Sequence, residues 1–224
     1  MFDLSVYSIF RNSEKYLDRY LSQVEPLFEL FPKLHFRFLT GDNEDNTWEI
    51  LEEWRKSKNG LAFVALNQHD TGAPYYPSQD RPDRWGHLER VWNENLSSNW
   101  KSKISMIVES DLFWDVKDVV RLIDVFNSDE NIKAVAPMLW KLEGKGVQFY
   151  DDNGFRRNGK HFSRTAPFIP DYENIPFIPV DTAGGMIVTN SHYLDGAEWK
   201  NKCTLHFQKQ GIFLLDTQTH IYHP

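Results

Sequence analysis

Apolar and polar positions switch between two periods along the first 137 residues. Leu4-Ser5-Val6-Tyr7-Ser8-Ile9-Phe10 is apolar and partly alternating, which predicts a strand. Leu17, Tyr20, Leu21, Val24, Leu27, Phe28 and Phe31 then recur at helical spacing and form one stripe. Ser13 is placed to cap that helix, and Pro26 should kink it or split off its last turn. Leu34-His35-Phe36-Arg37-Phe38-Leu39 predicts a second strand, followed by the turn Gly41-Asp42-Asn43-Glu44-Asp45. Asn46 and Glu49 fit a capping box, Trp48, Leu51 and Trp54 give the helix a core face, and Asn59-Gly60 stops it. Leu61 to Leu66 is an unbroken apolar run, as expected for a strand covered on both faces. A Pro-, Gly- and Asp-rich loop from Gln68 to Asp83 leads to a helix carrying Leu88, Val91, Trp92 and Leu96. Ile104 to Val108 predicts a buried strand that ends at Glu109-Ser110-Asp111. Asp115 caps the next helix, whose core face is Val116, Val119, Val120, Ile123 and Phe126, and Ile132 to Pro137 is a short strand.

This alternation predicts an α/β fold, a mostly parallel central sheet flanked by helices. The regularity fails from Lys141 to Pro179, where Gly, Asn, Pro and Arg are interspersed with Phe and Tyr. A stretch of that length inside a compact domain is usually functional. Order returns with Ile178 to Thr189, a helix from about Ser191 to Gln210 stopped by Gly211, and two short strands near Ile212 to Asp216 and His220 to Tyr222.

The length of 224 residues suits a single domain. With 25 Lys+Arg against 32 Asp+Glu the formal charge is −7, which argues against a general nucleic-acid binder. The basic island from Gly154 to Arg164 still suits a phosphate-bearing or nucleic-acid acceptor, or simply a solvated loop. One cysteine, Cys203, leaves no internal disulfide framework, and its default reading is a packed small residue beside Phe207. No apolar run approaches the roughly 20 residues that span a bilayer, and the N-terminus lacks a signal-peptide pattern, so a soluble, cytoplasmic chain is expected.

Glu109-Ser110-Asp111 carries the most chemical information. Ligands of open parallel sheets gather beyond the carboxyl ends of strands, and paired carboxylates are hard ligands for Mg²⁺ or Mn²⁺. The bland alternative is that Asp111 only starts the turn into the helix capped by Asp115. His223 is a plausible third ligand or an ordinary surface residue. In Asp181-Thr182-Ala183-Gly184-Gly185-Met186 the glycines permit close backbone approach to a ligand, or mark a bulge. Asp42 and its neighbours could accept hydrogen bonds from a base or ribose, although turn chemistry accounts for most of them. Trp114 and Trp140 suit sugar stacking or core filling. His35 reads as structural, and His69 with Asp70 as loop residues near the predicted site. No P-loop, Gly-x-Gly-x-x-Gly or His-Glu-x-x-His pattern is present.

The order of these segments resembles the GT-A fold of nucleotide-sugar-dependent glycosyltransferases, over nearly the whole chain. Tyr7 to Leu17 is similar to the first strand and helix start, Gly41 to Thr47 to the acidic turn, and Arg84 to Asn95 to the Arg- and Asn-bearing helix of that superfamily. Glu109-Ser110-Asp111 resembles a variant of the Asp-X-Asp motif, Val180 to Met186 the acceptor-side glycine motif, and His206 to Gly211 with Ile221-Tyr222-His223 the closing helix and metal histidine. Its closing segments are similar to those of the fungal Golgi and capsule-associated mannosyltransferases. The resemblance implies a Mn²⁺ or Mg²⁺ ion held by Asp111, Glu109 and His223, with Glu109 reaching the metal or the ribose. It implies that Asp42 contacts the base and that the backbone of Phe10 and Arg11 frames it. Arg84 would lie near the diphosphate or sugar, and Asp181 with Gly184-Gly185 would face sugar and acceptor, residues 1–137 binding the donor and 138–224 the acceptor. The first acid of the motif is Glu rather than Asp, and no general base is evident. The implied activity is metal-dependent transfer of a sugar from a nucleoside-diphosphate sugar to an acceptor hydroxyl on a glycan, lipid, protein or modified base in DNA. A sugar-phosphate nucleotidyltransferase is a weaker alternative, because Phe10-Arg11-Asn12-Ser13 lacks the expected glycine loop. A non-catalytic glycan- or nucleotide-binding domain of the same fold is the other.

Overall fold

The computed structural model describes residues 1–74, 82–97, 101–143, 146–149, 154–163, 174–201 and 204–224. Its elements run β1 (Phe2–Phe10), α1 (Glu14–Val24), α2 (Leu27–Leu30), β2 (Leu34–Thr40), α3 (Thr47–Ser57), β3 (Phe63–Gln68), α4 (Pro82–Leu96), β4 (Ser102–Val108) and α5 (Val116–Asn127). They continue β5 (Ile132–Glu143), β6 (Gly146–Phe149), β7 (Arg156–Arg157), β8 (Lys160–His161), β9 (Phe177–Pro179), β10 (Met186–Thr189), α6 (Ser191–Leu194), β11 (Glu198–Lys200), β12 (Thr204–His206) and β13 (Ile212–His223).

The main sheet has the order β3-β2-β1-β4-β10-β5-β13-β9, with β6 paired to β5. β3, β2, β1 and β4 are mutually parallel, and β13 is parallel to β5. β10 runs against both β4 and β5, and β9 and β6 are antiparallel to their neighbours. The crossovers from β1 lead outward to β2 and β3, whereas β4 lies on the other side of β1. The strand order therefore reverses between β1 and β4, and the crevice beyond their carboxyl ends is where such sheets hold ligands.

Aromatic side chains fill the space between this end of the sheet and the helices α1 and α3. Phe10 meets Tyr20 edge-on at 5.2 Å and Phe38 at 5.1 Å, and Phe38 stacks on Trp54 at 5.6 Å. Such pairs add about 0.5–1.5 kcal/mol each beyond the area they bury, so the strand ends that present the site rest on a rigid base. Pro26 ends α1 as expected, and α2 is the split-off turn.

Several local expectations are corrected. β3 is not covered on both faces: it is an edge strand, with Leu61 63% and Phe63 47% exposed. Ser13 precedes α1, but its hydroxyl accepts from the Arg11 amide instead of capping. Asn46 precedes α3 without a capping box. Asp45 accepts from the Thr47 amide instead, and the Asn46 side chain donates to Glu14. Asp115 does form its box, reciprocally with Asp118.

The predicted helix over Ser191 to Gln210 is a single turn, α6, followed by the hairpin β11–β12. Gly196 at φ 78° and Asn201 at φ 55° break the helical path. Trp199 then stacks on Trp92 of α4 at 5.1 Å, while the Asn93 side chain donates to the Trp199 carbonyl and accepts from its amide. This docking outweighs a helical pattern that is only a weak prior. The two predicted terminal strands are one, β13, interrupted by a register shift between Asp216 and His220. β5 likewise extends past Pro137 to Glu143. Cys203 and Arg164 lie outside the described residues. Among the described residues no helix is long and apolar enough to cross a membrane.

Candidate active site

The carboxyl ends of β1 and β2 are tied together by their loops. The Asn12 amide donates to the Asn43 side chain and the Glu44 amide to the Asn12 side chain. Ser13 N–H reaches the Thr47 hydroxyl at 2.7 Å. Asn12 (φ 49°) and Asp42 (φ 50°) adopt left-handed backbone, which Asn and Asp tolerate better than other side chains. Gly41 is required for space: a Cβ there would lie 2.1 Å from the His69 carbonyl oxygen.

Asp42 anchors the segment after β3. Its carboxylate accepts from the amide and hydroxyl of Thr71 and from the Gly72 amide. Burial favours its neutral form, but the Thr71 and Gly72 donors and the nearby Arg11 charge outweigh that, holding Asp42 below the usual carboxylate range. Arg11 donates to the Ala73 carbonyl at 2.6 Å. Phe10 is packed in the core, so its backbone rather than its ring is what can frame a ligand.

His87 of α4 escaped the sequence reading. It is buried, and it lies within electrostatic reach of Arg11, Arg90, Asp42 and His69; burial and the two arginines push its pKa down. A histidine on a buried helix face carries no sequence mark of this kind. Arg84, three residues earlier in α4, is half-buried with its guanidinium 5.4 Å from the Trp85 ring centroid.

At the end of β4, the Glu109 amide donates to the Gly185 carbonyl at 2.9 Å, joining the acidic turn to the start of β10. Two residues on, Asp111 faces the last turn of β13. Phe113 and Tyr222 exchange both backbone hydrogen bonds, at 2.7 and 3.1 Å. That bridge brings Asp111 Oδ2 within 3.0 Å of His223 Nε2, with the side chains 27% and 16% exposed. The second Asp111 oxygen, Oδ1, is buried with no hydrogen-bond partner among the described residues. His223 Nδ1 lies 2.8 Å from the Pro224 carbonyl oxygen and must be the donor there. In a neutral imidazole that leaves the Nε2 lone pair facing a carboxylate oxygen. Two acceptors in contact need a positive charge between them, either a proton or a metal ion. An imidazole oriented by a carbonyl at its other nitrogen is the usual arrangement of a metal-ligating histidine. An unmatched carboxylate oxygen beside it adds a hard donor. These residues fit a divalent cation such as Mn²⁺. Among the described residues, however, no group of three His, Cys, Asp or Glu side chains is placed to hold one. The structure thus assembles Asp111 with His223, while Glu109 lies on the same turn outside such a group.

Asp181 and the glycine pair lie in the segment between β9 and β10. The Asp181 carboxylate accepts from the Gly159 amide at 2.7 Å, and its own amide donates to the Arg156 carbonyl, so it fastens the β7–β8 hairpin. Gly185 has φ 68°, and a Cβ would approach Leu139 Cδ1 to 2.3 Å. Its need for glycine comes from packing and backbone conformation. Gly184 is buried and its carbonyl accepts from Met186. Trp114 and Trp140 are buried, 5% and 4% exposed, so core filling is the reading that holds. His35 is structural: it is fully buried, 3.2 Å from the Ser5 hydroxyl, and burial pushes its pKa down to about 4.

No protein-family profile matches the chain. Among curated proteins it is similar to a human protein named inactive glycosyltransferase 25 family member 3, 28% identical over 171 residues, covering 71% of this chain and 27% of that protein. The chain therefore spans about a quarter of that relative's length. Among solved structures it is similar to a mycobacterial protein, at TM-score 0.55 and 14% identity, over 100% of this chain and 67% of that one. It is also similar to S. aureus TarS residues 1–349, at TM-score 0.53 and 14% identity, over 99% of this chain and 60% of that one. With its reversal of strand order between β1 and β4 and its acidic turn at the end of β4, the chain has the GT-A fold on which nucleotide-sugar-dependent glycosyltransferases are built.

Proposed function

We propose that the chain is a metal-dependent glycosyltransferase that moves a sugar from a nucleoside-diphosphate sugar to an acceptor hydroxyl. The observation that carries this reading is the Asp111–His223 pair, with one Asp111 oxygen buried and unmatched, at the carboxyl end of β4. Asp111 and His223 would hold Mn²⁺ or Mg²⁺, with Glu109 reaching the ion or the ribose. A cation so placed neutralises charge on a departing diphosphate. The backbone of Phe10 and Arg11 would frame the nucleotide and Arg84 would meet the diphosphate or sugar. Asp42 would contact the base, and in doing so would exchange part of its Thr71 and Gly72 hydrogen bonding for the ligand. Asp181 and the Gly184-Gly185 backbone would face sugar and acceptor. In this reading residues 1–137 bind the donor and 138–224 the acceptor within one domain. The Asp111→Asn variant tests it: loss of donor hydrolysis and transfer is expected, and turnover at the wild-type rate would overturn the metal assignment.

A second reading is a non-catalytic nucleotide- or glycan-binding domain. It is favoured by the word "inactive" in the human relative's name and by the missing third donor among the described residues. Mn²⁺-dependent nucleotide binding without hydrolysis of any donor sugar would select it.

A further inference from the structure

We propose that Arg19 of α1 is a positioning residue that holds Asp111 and His223 in register for a divalent cation, acting through the Asp111 carbonyl and the Phe113 ring. This rests on the cation site proposed above. Asp111 and His223 belong to segments far apart in sequence, and their juxtaposition depends on the Phe113–Tyr222 bridge. The core does not secure that bridge: Phe113 is 42% and Tyr222 39% exposed. Arg19 does. Its Nη2 donates to the Asp111 carbonyl at 2.7 Å, and its guanidinium carbon lies 3.8 Å from the centre of the Phe113 ring. Gln23, one helical turn further along the same face, donates to the Leu112 carbonyl at 3.1 Å. The turn is thus fixed at Glu109 by β10, at Asp111 and Leu112 by α1, and at Phe113 by β13. Among the described residues, Arg19 alone grips both the residue that bears the ligand and the residue that makes the bridge. A planar guanidinium can do both at once, whereas an ammonium group offers only a point donor.

The test is isothermal titration of the full chain with Mn²⁺ alone, comparing wild type with Arg19→Met, Arg19→Lys and Gln23→Ala. Loss of support behind a metal ligand typically costs 10- to 100-fold in affinity. Arg19→Met should therefore raise the Mn²⁺ Kd about 10-fold, and Arg19→Lys by a smaller factor, because lysine restores the carbonyl contact without the ring contact. Gln23→Ala should shift it least. In turnover assays the Mn²⁺ activation constant should rise while the donor KM at saturating Mn²⁺ stays put, a split that general destabilisation does not produce. Equal Kd values for wild type and Arg19→Met, or for wild type and Arg19→Lys should the methionine variant not fold, overturn this inference alone. No Mn²⁺ binding by the wild type overturns the cation site itself.

Discussion

Two acidic residues, both facing β13 or belonging to it, sit in opposite electrostatic situations. Asp216 is fully buried within β13, and its oxygens are filled. Arg121 approaches both of them, at 2.6 and 3.1 Å, the Thr219 hydroxyl donates at 2.6 Å, and the Gln218 amide donates at 3.1 Å. These bonds occupy the place where the β13 register shifts, so Asp216 holds a bulge. Asp111 is less buried, yet its Oδ1 has no hydrogen-bond partner among the described residues and its Oδ2 faces His223 Nε2 at 3.0 Å. A buried carboxylate with every lone pair satisfied is architecture. The orphaned Asp111 Oδ1, at a cost of about 1–3 kcal/mol for an unmatched acceptor, is what the proposed cation would satisfy. Burial alone would have pointed to Asp216 rather than to Asp111, the residue on which the proposed function rests.

That contrast makes separable predictions. Replacing Asp111 by Asn should have the largest effect, lowering transfer or donor hydrolysis by about 100-fold or more, since the loss removes charge opposite the leaving group. Its stability to urea should change little. Asp216→Ala should do the reverse. It leaves Arg121 unpaired and the bulge unfilled, and should cost about 3 kcal/mol in urea unfolding while Mn²⁺ affinity is kept. If the two variants lost stability and activity in the same proportion, the distinction between the two acids would not stand.

A buried histidine extends the comparison. His35 is closed in the core as the neutral base, with its pKa lowered to about 4. The unfolded chain therefore takes up its proton first, near pH 6.5. Stability falls as pH drops from about 6.5 to about 4, by roughly 3 kcal/mol, and this loss is complete below that. Urea titrations across that range should show the slope in wild type and lose it in His35→Phe. A smaller effect is expected at Gly185, where alanine meets both a positive φ and Leu139. Gly185→Ala should cost about 1–3 kcal/mol, read as a lower Tm, with nucleotide affinity following only as far as the Glu109–Gly185 link is disturbed.

The order of elements in the first half of the fold was legible because each is set mostly by local pattern. Leu17 to Phe31, the Asp115 cap and the apolar β4 run each have one consistent reading. The second half was not, because long-range pairing decides it. The Ser191 to Gln210 pattern suits a helix until Trp92 and Asn93 of α4 capture Trp199. The exposure of β3 depends on its edge position, which its own apolar run does not reveal. At the site, Glu109-Ser110-Asp111 and His223 stood out by residue type and by position at a strand end and at the chain's closing segment. Arg19, His87 and Asp216 did not. Each sits in an ordinary helix or strand pattern: Arg19 meets Asp111, 92 positions away, Asp216 meets Arg121, 95 positions away, and His87 feels Arg11 and Asp42 across the fold.

The most direct test of the central claim is a thermal-shift comparison of wild type and Asp111→Asn against UDP-, GDP- and dTDP-sugars, each with and without Mn²⁺. Ligand binding at 100 times Kd stabilises the folded state by about 2.7 kcal/mol. The account predicts a clear rise in Tm for at least one donor, present in wild type only with Mn²⁺ and abolished in Asp111→Asn. A rise of the same size without Mn²⁺, or one that survives in Asp111→Asn, would contradict it.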